Sequence, residues 1–157
     1  MKKITFLVLF ISFLLSTNLK SQDYDTGIGI RSGLSNGATI KHFLGEETAV
    51  EGILSLRWGG INVTGLYEIH NNAFDVERLN WYYGFGGHIG FWDGNVNPWF
   101  KDNNSYTVIG IDGIIGIEYN FSEIPINISI DWKPALNLIG YTGFWGDEGA
   151  VSVRYIF

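Results

Sequence analysis

Few side chains in this 157-residue chain can do chemistry, and their spacing excludes most of it. There is no cysteine, which rules out thiolate metal sites and disulfides and leaves burial and backbone pairing to supply stability. Three histidines, His42, His70 and His88, stand apart, with no His-Glu-x-x-His spacing to set two ligands on one helical face, so no metal site is read from them. His88, set among glycines, is expected to hydrogen-bond a carboxylate on a neighbouring strand, and His42 to be an amphipathic side chain at an interface. Asp93-Gly94-Asn95-Val96-Asn97 opens like a calcium loop, but Pro98 and Asn104 stand where such a loop needs Gly and Glu. Beside Trp99, Phe100 and Tyr106 it reads instead as a loop that rests on headgroups or contacts something outside the cell. Gly146-Asp147-Glu148, with Tyr141, Phe144 and Trp145, reads as a second acidic and aromatic loop with solvated charges. Asn62-Val63-Thr64, Asn103-Asn104-Ser105 and Asn127-Ile128-Ser129 match the glycosylation triplet by accident. No catalytic residue and no cofactor is expected.

The remaining charges follow a different rule, since they fall at every second position of apolar stretches. Ile109, Ile111, Gly113, Ile115, Ile117, Tyr119 and Phe121 share one face, and Gly110, Asp112, Ile114, Gly116, Glu118 and Asn120 the other. A period of two is the strand signal. It recurs over 126–133, 81–92, 61–70, 51–58 and 150–157, and in shorter form over 27–33 and 38–44. The 21 glycines also speak against a helical chain. Eight strands joined by turns, with no helix for parallel crossovers, predict an antiparallel meander, and an even number permits closure. Long connections at 93–105 and 140–148 follow odd strands, and short ones at 45–48 and 122–125 follow even strands. Pro134, inside a strand pattern, predicts a bulge or bend near the outer rim.

Content tells which face is inside. The interior of an eight-stranded barrel barely holds side chains, so glycines and compact residues belong there. The polar face carries Gly29, Gly84, Gly86, Gly90, Gly110 and Gly116, together with Arg31, Lys41, Glu51, Arg57, Glu68, His70, His88, Asp112, Glu118, Asp131, Lys133 and Arg154. These charges of both signs are expected to form ion pairs in the lumen. The apolar face is almost free of charge and ends in Tyr67, Trp81, Tyr83, Tyr119, Phe121, Tyr155 and Phe157 at one rim and Trp58 and Phe91 at the other, as in the aromatic girdles of a lipid-facing band.

Met1-Lys2-Lys3, an apolar run from Ile4 to Leu15 and then Ser16-Thr17-Asn18 have the order of a secretory signal, expected over 1–21, with the barrel over 22–157. The apolar run is shorter than the about 20 residues of a helical span. Loss of Lys2, Lys3 and Lys20 from 10 basic and 16 acidic residues leaves a mature net charge of −9, which argues against nucleic acid as a partner.

The leader, the alternating strands and the ending Val153-Arg154-Tyr155-Ile156-Phe157 resemble the small eight-stranded bacterial outer-membrane barrel proteins. Gly65-Leu66-Tyr67-Glu68-Ile69-His70 and Asp131-Trp132-Lys133-Pro134-Ala135 resemble a group of such barrels without known activity. The resemblance implies an all-β, closed, eight-stranded antiparallel up-and-down transmembrane barrel in the cell outer membrane. It implies outer-membrane lipid as surroundings and a monomer. It also implies that Val151, Val153, Tyr155 and Phe157 form the signal read by the barrel assembly machinery. The expected role is non-catalytic, either membrane support or loop-mediated contact, with a filled lumen instead of a pore. The alternatives are a lipid A-modifying enzyme, whose deacylase type carries a His-x-Ser pair that this chain lacks, and a soluble lipocalin-like carrier.

Overall fold

A computed structural model describes residues 24–93 and 105–157. The leader at 1–21 therefore lies outside the described residues, as do the calcium-like segment after Asp93, with Trp99 and Phe100, and most of the triplet ending at Ser105.

Hydrogen bonding defines ten strands: β1 (Thr26–Gly33), β2 (Asn36–Phe43), β3 (Thr48–Arg57), β4 (Gly60–Asn72), β5 (Leu79–Trp92), β6 (Tyr106–Asn120), β7 (Ile126–Trp132), β8 (Ala135–Ile139), β9 (Gly143–Trp145) and β10 (Gly149–Ile156). They build the eight walls of a closed antiparallel barrel. β7 and β8 are two parts of the seventh wall, both paired with β6, and β9 and β10 are two parts of the eighth. The β1–β10 and β5–β6 ladders close the ring. Carried through the successive registers, a position on β1 returns to β1 displaced by about ten residues, which goes with strands tilted by about 40°. For brevity, the end that holds both Thr26 and Ile156 is the terminal end, and the other is the distal end.

Alternation of side chains does the sorting. Within the described strands every Asp, Glu, Lys and Arg points inward, namely Arg31, Lys41, Glu51, Arg57, Glu68, Asp112, Glu118, Asp131 and Arg154, and none is more than 5% exposed. The outward face is Ile, Val, Leu, aromatic, Gly, Thr or Asn, with Ser32, Ala38 and His42 besides. Glycines let the walls approach: a methyl group on Gly86 would lie 1.9 Å from the Gly65 carbonyl oxygen.

Pro134 does not bulge the seventh wall. Ala135↔Asp112 continues the register of Trp132↔Ile115, and Pro134 still accepts from the Gly113 N–H at 2.9 Å, so only its own donor is lost. The irregularity on β6 falls further along, at Ile109 and Gly110. A second slip lies in the eighth wall, where Ala135↔Trp145 and Trp132↔Gly149 differ by one residue. It reverses the alternation, so that odd-numbered Trp145 and even-numbered Glu148 both face inward.

Candidate functional site

The lumen holds charge in layers. Nearest the terminal end, Lys41 Nζ, brought in by the alternation of β2, lies 2.8 Å from Glu68, 3.3 Å from Glu118 and 3.7 Å from Glu51. His70 bridges two of these carboxylates, at 3.0 Å from Glu68 and 3.3 Å from Glu118, and stacks on Tyr82. Arg154 pairs with Glu51 and donates to Ser129 at 2.8 Å and to Asn127 at 3.1 Å. Across the middle, Arg31 makes a two-pronged pair with Asp131, to which the Tyr82 hydroxyl donates at 3.3 Å. Above that, Asp112 takes Lys133 at 2.9 Å and the His88 ring at 2.7 Å, and His88 also meets Asn137 at 2.9 Å. Each ion is opposed at close range, the condition under which buried charge is tolerated.

All twelve residues expected on the lumen face, Arg31, Lys41, Glu51, Arg57, Glu68, His70, His88, Asp112, Glu118, Asp131, Lys133 and Arg154, are buried there. Glu148 differs from expectation. In place of a solvated loop charge it is a buried partner of Lys133 at 2.8 Å and of the Ser35 hydroxyl, because the slip in the eighth wall turns it inward. Val151, Val153 and Tyr155 share the outward face of β10, and Tyr155 lies 6.2 Å from the Phe157 ring. Trp81 stacks on Tyr83 at 5.4 Å and Tyr119 meets Phe121 edge-on at 5.1 Å, both outward and toward the terminal end. His42 is outward too, with its Nδ1 2.8 Å from the Thr26 hydroxyl.

The distal mouth holds what alternation alone could not reveal. Trp58 and Gly59 form the β3–β4 turn with φ of 49° and 74°, a left-handed pair suited to a two-residue hairpin but unusual for an indole. The β1–β2 hairpin ends lower, at Gly33 and Asn36. Above it the Trp58 turn meets the eighth wall directly, with Trp58 and Trp145 edge-on at 5.9 Å. The Arg57 guanidinium lies over Trp58 at 3.9 Å and over Trp145 at 5.2 Å. Its Nη2 donates to both Asp147 oxygens, at 3.0 and 3.2 Å, whereas its buried Nε and Nη1 have no acceptor among the described residues. Trp92 packs edge-on against Trp145 at 5.7 Å and donates to the Arg57 carbonyl at 3.1 Å. Arg57, Trp58, Trp145 and Asp147 border a cleft of about 300 Å³; a second hollow of about 600 Å³ opens at the terminal end beside His70, Glu47 and Arg78. Between the two lie the charged layers.

Neither the known protein-family models nor the curated proteins include a match to this chain.

Proposed function

We propose that this protein is a non-catalytic outer-membrane barrel that stands in lipid as a filled cylinder and offers its distal turns to the outside. One observation carries the reading. The charged residues of the described strands all point into the lumen, and the outward face bears no Asp, Glu, Lys or Arg. Water would not reward that inversion, because a solvated barrel gains by burying its apolar face, whereas hydrocarbon penalises each outward charge by several kcal/mol at mid-depth. Closure of the ring suits the same surroundings, since open backbone edges are not tolerated in lipid. The outward aromatic pairs near the terminal end fit an interfacial girdle. A lumen packed with ion pairs suits neither a metabolite channel nor a carrier of apolar ligands.

The test is fractionation of expressing cells, gel mobility of the extracted protein with and without boiling, and conductance in a planar bilayer. A heat-modifiable outer-membrane band without steady conductance is the expected result. A soluble periplasmic protein would overturn the reading, and stable open channels would overturn the filled lumen.

A further inference from the structure

We propose that the distal cleft is a glycan site that takes one sugar ring, with Trp58 as its stacking platform and the Arg57–Asp147 pair as its hydroxyl reader.

A pyranose presents an apolar C–H face and a rim of hydroxyls that both donate and accept. A site for it needs an accessible aromatic plane, a fixed donor and acceptor side by side, and a hollow the size of one ring. The plane is Trp58, 42% exposed, with exposed Phe144 on the same cleft. The acceptor is Asp147, whose side chain is 59% exposed, and the donor is Arg57 beside it. Arg57 is held for this role from behind, since its Nε and Nη1 are buried and only Nη2 donates to Asp147, at 3.0 and 3.2 Å, among the described residues. At about 300 Å³ the hollow stands at the small end of ligand sites, which suits a single ring.

Backbone strain gives an independent pointer. The first residue of this turn has φ of 49°, where Asn, Asp or Gly sits most easily. Trp58 holds that position against its own preference, and such strain gathers where a side chain is needed for binding. An anion is the poorer fit, since Asp147 already opposes the Arg57 charge at 3.0 Å and would repel a phosphate or carboxylate.

The experiment uses the purified, folded full chain in a detergent without a sugar headgroup, so it stands whether or not the membrane reading does. Methyl pyranosides of glucose, galactose, mannose and N-acetylglucosamine are titrated while indole fluorescence and saturation-transfer NMR are followed, with methyl phosphate alongside. Vesicles containing lipopolysaccharide form a parallel arm that separates a lipid-borne sugar from a free one. Saturable binding of at least one sugar is expected. Trp58→Asn, which suits the turn and so should fold normally, is expected to weaken it about tenfold or more, and Asp147→Asn to weaken it while keeping the shape of the cleft. Absence of saturable binding in both sugar arms, wild-type affinity in a heat-modifiable Trp58→Asn protein, or a response confined to methyl phosphate would each overturn the proposal.

Discussion

Replacing Ile115 by arginine separates a lipid-facing barrel from a water-facing one. Ile115 is 49% exposed on the outward face of β6, and its ladder partners Tyr83 and Trp132 are outward as well. The apolar outward series of β6 runs from Ile109 to Tyr119, which places Ile115 near its middle. At about 3.3 Å per residue and a tilt of about 40°, that series spans about 25 Å, the height of a membrane-facing band. A guanidinium at mid-depth then costs about 2–4 kcal/mol, and near the interface about 0–1 kcal/mol. On a solvated sheet the same change would stay within about 0.5 kcal/mol. Wild type, Ile115→Arg and the rim variant Ile109→Arg are refolded into phospholipid vesicles and unfolded in guanidinium at equilibrium, with tryptophan fluorescence as the probe. The expected order is a large loss for Ile115→Arg and a small one for Ile109→Arg. Equal stability of Ile115→Arg and wild type, or equal losses at the two depths, would refute the reasoning.

Lys41→Met leaves Glu51, Glu68 and Glu118 around a neutral side chain, so a loss of about 3–5 kcal/mol is expected in the same unfolding assay; a loss under about 1 kcal/mol would mean that the layer relaxes without its cation. Gly86→Val should cut the folded, heat-modifiable fraction sharply, because its Cβ meets the Gly65 carbonyl, while Gly65→Ala, with nothing within 4 Å, should be neutral or gain up to about 1 kcal/mol. Phe157→Ala with Tyr155→Ala should lower the yield of membrane-inserted protein in cells; an unchanged yield would count against the terminal residues as an assembly signal.

The barrel is legible in the sequence wherever one face is charged. On β3, β4, β6 and β7 a charge or amide marks the lumen at intervals of two, four or six positions, and alternation then fixes every neighbour. Legibility fails where alternation does. Asp147 and Glu148 read alike as loop acids, yet a one-residue slip after Trp145 leaves Asp147 at the surface and buries Glu148 against Lys133. Pro134 reads as a bulge because it lacks a donor, but one missing hydrogen bond in a long wall does not shift the register. The distal cleft is the least legible part. Trp58, Trp92 and Trp145 come from three separate walls, and only the pairing offsets around the ring bring their indoles to within 6 Å in successive pairs.

The low β1–β2 hairpin has a further consequence on the proposed reading. Its strands are eight residues each, whereas β5 and β6 have 14 and 15. A crossing strand needs about 9–11 residues, so at a tilt of about 40° this sector falls about 5 Å short of a full crossing. Lipids that border it must shorten or splay, at a fraction of a kcal/mol for each Å of mismatch. In a membrane the barrel would therefore have an elastic footprint with a direction: the bilayer would be pinched on the side of Ile30 and Leu34 and relaxed on the side of Phe85 and Ile111. Such a protein orients itself in a thickness gradient and draws toward it neighbours whose own hydrophobic walls are equally short.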